Sequence, residues 1–263
     1  MVGGMKYKTI WLSDMHLGTR GSNARGLLDF LRQNESETLY LVGDVIDIWR
    51  LKKDHYWPQE HNDVVQKILR KARKGTRVIV IPGNHDEFCA NFHGEYGNIA
   101  IKPDDVYTTV TGERLLVMHG HEFDAVTMHA KWLAVLGDIG YTLLLKANRP
   151  LNYVRHLFGF EYWSLSAYVK SSVKRVVSSI SDFEQAVAHY AEKFHAAGII
   201  CGHIHTPAIK QIRGVDYYNT GDWVESGTAL VEHLDGAIQL LHWKNELPMP
   251  LDLNDQSALL LAS

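Results

Sequence analysis

Short polar segments recur along this chain, and each of them directly follows an apolar run of the kind that forms β-strands. Five segments combine aspartate, asparagine or histidine with glycine or a strand end: Asp14-Met15-His16, Gly43-Asp44-Val45-Ile46-Asp47, Gly83-Asn84-His85-Asp86, His119-Gly120-His121 and Gly202-His203-Ile204-His205. Strand ends can meet at one edge of a sheet, where ligands are commonly bound. We therefore predict that the five segments converge there and form one polar site.

These segments supply carboxylate oxygen, amide oxygen and imidazole nitrogen, and none of them contains cysteine. Hard and borderline divalent cations prefer such ligands, so a zinc-finger type of site is not expected. A pair of cations about 3.5–4 Å apart needs one carboxylate that bridges both ions, together with separate ligands for each. The sequence therefore predicts a two-metal hydrolytic site with Asp44 as the bridge.

Each segment taken alone also fits a simpler structure, such as a turn or a strand end with a satisfied polar group. The occurrence of all five in one order, each at a predicted strand end, favours the metal site. The alternative is a protein that has kept the fold of such an enzyme and has lost its catalytic activity.

The series Asp-x-His, Gly-Asp-x-x-Asp, Gly-Asn-His-Asp, His-Gly and Gly-His-x-His resembles the motifs of the calcineurin-like metallophosphoesterases and extends over residues 14–205. The resemblance implies two divalent metal ions that share one aspartate. Carried over to this chain, it implies one metal with the ligands Asp14, His16, Asp44 and His205, and a second with the ligands Asp44, Asn84, His119 and His203.

The resemblance further implies that His85 is not a ligand but lies beside the phosphoryl group, with Asp47 orienting its imidazole. Two cations lower the pKa of a shared water and neutralise phosphoryl oxygens. An imidazole can then protonate the departing oxygen, and a carboxylate on its other nitrogen fixes the tautomer. Manganese is the expected ion, with iron or zinc as alternatives. His121 is a further candidate for a contact with substrate.

With 263 residues, of which 46% are hydrophobic, the chain can bury one large core. A net charge of -3 gives no basic surface for nucleic acid. Cys89 and Cys201 cannot build a disulfide framework, and no run approaches the roughly 18 apolar residues of a membrane span. The N-terminus also lacks the apolar core of a secretory signal. We expect a cytoplasmic protein, attached to a membrane at most peripherally.

Apolar periodicity predicts β-α-β units, with strands over residues 9–13, 38–42 and 77–81 and helices over 24–33 and 61–74. Further strands are predicted over 106–109, 114–118, 199–202, 208–212, 215–219, 228–234 and 237–243. The expected fold is α/β, with two mixed β-sheets packed as a sandwich and flanked by helices. One metallophosphoesterase domain should span residues 5–245.

Residues 125–180 interrupt this scheme with bulky apolar content of helical character. We predict a helical insertion that overhangs the metal site like a lid. Two interpretations stay open, namely a helical hairpin packed on the core and a lid that binds lipid or a membrane surface. Cations in the segment could contact substrate phosphates, in particular Arg149, Arg155, Lys170 and Lys174. The tail over residues 246–263 is expected to dock on the body or pair with a partner.

The insertion, the segment 202–207 and the segment 219–223 resemble the UDP-2,3-diacylglucosamine hydrolases. This resemblance implies a bacterial enzyme, peripheral to the inner membrane, that cleaves a pyrophosphate bond in lipid A biosynthesis and releases UMP and lipid X. The best-known members have arginine in place of His85 and aspartate in place of His121, so the chain resembles a divergent branch.

Ile48 stands where phosphoprotein phosphatases usually have an arginine that clamps a phosphomonoester dianion. The replacement favours a diester or pyrophosphate substrate. Two other functions remain open: a phosphodiesterase for soluble nucleotides, with the insertion as a packing or dimer surface, and a non-catalytic interaction module. The complete ligand set argues against the latter.

Overall fold

The computed structural model describes residues 5–123 and 165–243. Its strands are β1 Met5–Leu12, β2 Asn34–Val42, β3 Arg77–Ile81, β4 Gly94–Tyr96, β5 Ile99–Ile101, β6 Asp105–Thr108, β7 Arg114–Val117, β8 Gly198–Cys201, β9 Ala208–Ile212, β10 Val215–Asn219, β11 Thr228–Glu232 and β12 Ile238–His242. Its α-helices are α1 Ala24–Gln33, α2 Ile48–Leu51, α3 Gln59–Arg73 and α4 Leu165–Lys193, and short 3-10 helices span Glu87–Phe92 and His121–Phe123.

Two mixed sheets are formed, as predicted. The first has seven strands in the order β12-β11-β1-β2-β3-β5-β4, and the second has five in the order β6-β7-β8-β10-β9. In the first sheet β1, β2, β3 and β5 are parallel. In the second, β7, β8 and β10 are parallel, and β6 and β9 are antiparallel edges. Each sheet thus brings the carboxyl ends of several strands to one edge.

Apolar side chains of both sheets meet in one buried cluster, to which Trp11 and Tyr40 contribute from the first sheet and Leu115 and Ile200 from the second. Helices α1 and α3 cover the other face of the first sheet through residues such as Phe30. The C-terminal part of α4 covers the other face of the second. This layering confirms the predicted sandwich of two sheets flanked by helices.

Local sequence signals explain why several helices and strands begin and end at the predicted residues. The Asn23 side chain accepts a hydrogen bond from Gly26 N at 3.1 Å and caps the start of α1, which spans the predicted residues 24–33. Arg213 and Gly214 both have positive φ, which is the conformation of a two-residue hairpin turn between β9 and β10. These strands, too, have the predicted bounds.

Other strands begin or end at residues that differ from the prediction, because their limits depend on pairing between residues that are distant in the sequence. Strands β1 and β2 begin earlier than predicted, since Met5 pairs with Asn34 in parallel register and extends both. Strands β4 and β5 and helix α2 were not predicted from the sequence. Helix α4 continues past the predicted insertion boundary at residue 180, because Phe183 and Val187 pack beneath the second sheet.

The remainder of the predicted insertion and the tail over residues 246–263 lie outside the described residues. The lid and the domain bounds therefore stay predictions. Across residues 5–123 and 165–243, no helix has the length and apolar character needed to cross a membrane.

Candidate metal centre

The five polar segments follow β1, β2, β3, β7 and β8, so the carboxyl ends of both sheets deliver them to one place. Backbone hydrogen bonds join neighbouring segments: Asp14 N donates to Gly43 O at 3.1 Å, and Gly202 N donates to His119 O at 3.2 Å. The predicted convergence is therefore present in the fold.

Backbone conformations at the site are unusual. Among the described residues, seven residues other than glycine have positive φ, and five of these belong to the polar segments: Asp14, His16, Asp44, His203 and His205. Such conformations cost of order 1–3 kcal/mol each and tend to cluster at functional sites. The sharp turns direct side chains of consecutive strand ends towards a common centre.

One group of candidate ligands is formed by Asp14, His16 and His205, whose ligand atoms all lie within 4.8 Å of one another. Asp14 Oδ1 is 3.1 Å from His205 Nε2 and 3.9 Å from His16 Nε2. The two imidazole nitrogens are 3.3 Å apart. A carboxylate and two imidazoles therefore face one point.

A second group is formed by Asp14, Asp44 and His119. Asp44 Oδ2 is 3.5 Å from His119 Nε2 and 3.7 Å from His16 Nε2, so this oxygen lies between the two groups. His203 lies beside them, with its ring centroid 5.1 Å from that of His119. Asp44 occupies the position expected of a bridging carboxylate.

The two aspartates use their oxygens in the same way. Asp14 Oδ2 accepts a hydrogen bond from His203 N at 2.9 Å, and Asp44 Oδ1 accepts one from His85 N at 2.9 Å. The other oxygen of each carboxylate faces the histidine nitrogens. Each carboxylate is thus oriented by a backbone amide and has one oxygen directed at the centre.

Two atoms of these groups, Asp14 Oδ1 and His119 Nε2, are buried and have no hydrogen-bond partner, and the same holds for Oδ1 of the candidate ligand Asn84. An unsatisfied buried polar group costs about 1–3 kcal/mol, so such atoms call for an explanation. His119 Nδ1 is 2.9 Å from Val42 O, and a carbonyl can only accept, so Nδ1 carries the proton and Nε2 offers a lone pair when the ring is neutral. A pair of divalent cations bound by these residues would satisfy the three atoms, and the residues present fit such ions.

The pKa values agree with a site that requires positive charge. Burial alone would raise the pKa of Asp14 and of Asp44, but nearby histidines, chiefly His205 and His119 respectively, lower both below the usual range. Burial would lower the pKa of His119, yet the charge of Asp44 and their contact raise it to about 9. Without a metal, protons on histidine supply the charge that the buried carboxylates need.

Beside this centre lies an imidazole with a carboxylate partner. His85 Nδ1 is 3.0 Å from Asp47 Oδ2, and His85 Nε2 is 3.9 Å from Asp44 Oδ2. The same Asp47 oxygen is 3.3 Å from His16 Nδ1. Burial opposes ionisation of Asp47, but hydrogen bonds from His16, Arg50 N and His85 lower its pKa to about 2. Asp47 therefore orients two histidines, whereas the sequence analysis paired it with His85 alone.

Residues 7–207 match the model of a protein family described as calcineurin-like phosphoesterase. The chain belongs to this family.

Curated relatives of this calcineurin-like phosphoesterase include UDP-2,3-diacylglucosamine hydrolases. That of Photorhabdus laumondii is 24% identical over 216 residues, covering 78% of this chain and 84% of the relative. That of Pseudomonas savastanoi pv. phaseolicola is 26% identical over 230 residues, covering 83% and 89%. Among solved structures, a novel archaeal phosphodiesterase has a TM-score of 0.42 at 12% identity, covering 89% of this chain and 98% of that chain.

The family resemblance stated from the motifs is thus confirmed, and the chain is a metal-dependent hydrolase of phosphoric esters or pyrophosphates. The family uses divalent metals, and the structure contains the candidate clusters described above.

Asp86, for which no role was predicted from the sequence, lies under the loop that follows β2. Its carboxylate is buried and accepts hydrogen bonds from Gly83 N at 2.6 Å and from Val45 N at 2.8 Å, with longer contacts to the amides of Asp44 and Ile46. Through these hydrogen bonds, Asp86 connects the segment that contains Asp44 to the segment that contains Asn84. The signal was its place at the end of Gly-Asn-His-Asp, two residues after the candidate ligand Asn84.

Glycine is required where these segments cross. A Cβ atom at Gly83 would lie 2.2 Å from Asp44 Oδ1, and one at Gly43 would lie 2.1 Å from His119 Nδ1. No real Cβ tolerates such distances, so the glycines of the motifs allow the close approach of two candidate ligands.

Only some of the predicted substrate residues have side chains that the structure describes. The His121 ring centroid is 5.6 Å from that of His119, and the His121 side chain is 27% exposed, so it lies at the rim of the centre. Arg149 and Arg155 lie outside the described residues. Lys170 and Lys174 lie on α4, in the part for which only the backbone is described. The roles of all five stay predictions.

Proposed function

We propose that this phosphoesterase cleaves the pyrophosphate bond of a nucleotide-linked acylated sugar. The leading candidate is UDP-2,3-diacylglucosamine, with UMP and lipid X as products, a step of lipid A biosynthesis. The observation that carries the chemistry is the central position of Asp44 Oδ2 between two groups of candidate nitrogen and oxygen ligand atoms. The names of the curated relatives support the substrate.

We propose that one metal is bound by Asp14, His16, Asp44 and His205. The second would be bound by Asp44, Asn84, His119 and His203. A bound pair of divalent cations lowers the pKa of a water molecule and neutralises the charge on phosphoryl oxygens. Manganese(II) suits this set of oxygen and nitrogen ligands, and iron or zinc suits it as well.

His85 is proposed to act on the departing oxygen. Asp47 holds the Nδ1 side of its ring, so Nε2 is the nitrogen that faces the centre. As an imidazolium, His85 donates a proton from Nε2 while Asp47 retains the Nδ1 proton by charge attraction. General acid catalysis of this kind contributes about 10²- to 10⁴-fold to a rate.

A groove next to His85 supports a substrate that carries more than a phosphate. It has a volume of about 300 Å³, and its lining includes Trp49, Lys52 and Phe88. The Trp49 ring lies 4.6 Å from that of His85 and is half-exposed. An indole face, a phenyl ring and an ammonium group suit an apolar or planar moiety that is attached to an anion.

The same groove also favours a second candidate function, a phosphodiesterase for soluble nucleotides. The exposed face of Trp49 would stack on a nucleobase as readily as it would pack against an acyl chain. The two candidates differ only in whether acyl chains contribute to recognition.

The test compares kcat/KM for three substrates with manganese(II), namely UDP-2,3-diacylglucosamine, unacylated UDP-glucosamine and a bis(4-nitrophenyl) phosphodiester. The proposal requires the acylated substrate to exceed the unacylated one by about 100-fold, which corresponds to ~2.7 kcal/mol of transition-state binding. Equal rates on both UDP-sugars would favour the soluble-nucleotide enzyme. Absence of turnover with manganese, iron or zinc would reject both candidates.

The location is part of the proposal. We expect a cytoplasmic protein with a peripheral contact to the inner membrane through the segment over residues 125–180. Co-flotation with anionic phospholipid vesicles should be seen for the full chain. A chain that stays entirely with the aqueous fraction would remove the membrane contact and leave the chemistry untouched.

A further inference from the structure

The chain crosses from the second sheet to the first directly behind the metal centre. Strand β10 ends at Asn219 in the five-stranded sheet, and β11 begins at Thr228 in the seven-stranded sheet. Between them, the segment Asn219-Thr220-Gly221-Asp222-Trp223, called the clasp below, is buried along its whole length. Most buried backbone polar groups in proteins are paired, so the hydrogen bonds of the clasp identify the segments that it contacts.

Towards the first sheet, the clasp holds the segment that follows β1. The hydroxyl oxygens of Ser13 and Thr220 are 2.5 Å apart, and Ser13 Oγ also donates to Gly221 O at 2.8 Å. Trp223 N donates to Asp14 O at 3.0 Å. The backbone of the candidate ligand Asp14 is therefore bonded to the clasp on its carbonyl side.

Towards the second sheet, the clasp holds the segment that follows β8. Asn219 Nδ2 donates to Gly202 O at 2.8 Å, and Thr220 N donates to Cys201 O at 2.9 Å. The Thr220 hydroxyl lies 3.2 Å from the same Cys201 oxygen. Thr220 is thus the one residue of the clasp whose side chain contacts both segments.

The far end of the clasp is anchored separately. Trp223 is fully buried in the cluster beneath α1, with its ring centroid 5.4 Å from that of Phe30. The Asp222 carboxylate accepts hydrogen bonds from Val224 N and Glu225 N and from the Ser226 hydroxyl. The far end of the clasp is therefore anchored by contacts that lie outside the candidate ligand segments.

We propose that the clasp sets the distance between Asp14 and the segment with His203 and His205, and thereby the metal affinity of the centre. Thr220 and Asn219 act as positioning residues and do not touch a metal. The inference rests on the proposed metal site. Its physical basis is that the two segments come from different sheets, so the bonds of the clasp to both of them add to the direct bond from His203 N to Asp14 Oδ2 in holding their ligand atoms in register.

The central experiment measures the dissociation constant of manganese(II) by titration calorimetry for the full chain. Thr220→Val removes the hydroxyl while keeping the shape of the side chain, and Thr220→Ser restores a hydroxyl. Loss of groups that orient metal ligands typically weakens metal affinity about 10- to 100-fold. We expect a weakening in this range for Thr220→Val and wild-type affinity within about threefold for Thr220→Ser.

Thr76→Val is the matched control, because Thr76 is also buried and its hydroxyl donates to Ser36 O at 3.1 Å, beside the start of β3 and away from the ligand segments. It should lower the melting temperature of the metal-free protein and leave manganese affinity unchanged. Equal weakening of metal binding by both valine variants would overturn the proposal, since it would show a general effect of lost stability.

Ser13→Ala provides a second variant if Thr220→Val does not fold, because it removes the other hydroxyl of the same contact. We expect it to weaken manganese binding in the same direction. Wild-type affinity in a folded Thr220→Val or Ser13→Ala protein would overturn the role of the clasp alone. A wild-type protein that binds no manganese, iron or zinc would overturn the proposed metal site together with it.

Discussion

The candidate metal centre has a sealed side and an open side, and the two sides are constructed differently. On the sealed side, His119 and His203 are fully buried and Asp44 is 1% exposed. On the open side, the side chains of His85 and His205 are 25% and 36% exposed. The sealed side would hold the proposed cations away from water, and the open side would admit a phosphoryl group.

The two sides also orient their histidines differently. His119 is fixed by the carbonyl of Val42, a group that has no charge and cannot titrate. His16 and His85 are fixed by one carboxylate, that of Asp47. A carbonyl fixes a tautomer permanently, whereas a carboxylate also stabilises an imidazolium. Under the proposed roles, metal ligands lie on both sides, whereas the proton donor His85 lies on the open side, and substitutions can test that division.

The largest effect is expected for Asp44→Asn on the sealed side. The substitution keeps the shape of the side chain and removes the charge of the proposed bridge. Turnover should be abolished, and manganese affinity should fall by more than the roughly 100-fold that loss of an orienting partner can cost. Calorimetric titration and an assay on the phosphodiester check this. Asp54→Asn, at a surface carboxylate paired with Arg20, is the control, and an active Asp44→Asn protein would refute the assignment.

The next largest effect is expected for His85→Ala on the open side. The rate at saturating manganese should fall by about 10²- to 10⁴-fold, because a proton donor to the departing oxygen is lost. Manganese affinity should stay within a few-fold of wild type. His93→Ala, at an exposed histidine directly after the 3-10 helix Glu87–Phe92, should leave both quantities unchanged. Unchanged turnover in His85→Ala would reject the assigned role.

A smaller effect that reaches both sides is expected for Asp47→Asn. Since Asp47 contacts both His16 and His85, the variant should lose about tenfold in turnover and also about tenfold in manganese affinity. The double variant with His85→Ala should lose no more turnover than His85→Ala alone at saturating metal, because both act through one imidazole. Additive losses would indicate that Asp47 acts chiefly through His16.

The smallest effect is expected for His61, which bonds to the backbone two residues after the candidate ligand His16. His61 is buried, its Nδ1 accepts a hydrogen bond from Gly18 N at 2.9 Å, and burial lowers its pKa. Below the unfolded-state pKa near 6.5 the unfolded chain gains a proton that the folded chain resists, so this stabilisation is full above that pH and declines as the pH falls.

His61→Gln tests this, since glutamine can accept a hydrogen bond and does not titrate. The melting temperature of wild type should fall more steeply than that of His61→Gln between about pH 7 and pH 5, with ~1 kcal/mol corresponding to about 2–4 °C in a chain of this size. Parallel curves would show that the protonation of His61 is not linked to folding.

Much of the fold was accessible from apolar patterning. The strands that precede Asp14, Asp44 and Asn84 are apolar runs, because both faces of a central parallel strand are covered. The short strands β4 and β5 were missed, since they exist only by pairing at the edge beside β3. Edge pairing depends on neighbours in space and leaves little trace in a local pattern.

By itself, the sequence determined the chemical types at the centre and the strands that deliver them, because ligand type is a property of a residue and strand periodicity is a property of its neighbours. The tertiary structure alone decided that Asp47 serves two histidines, that Asp86 fastens two loops and that Thr220 joins two sheets. Each of these roles depends on contacts between atoms that are up to about two hundred residues apart in the sequence. Only the packing of the sheets brings such atoms together.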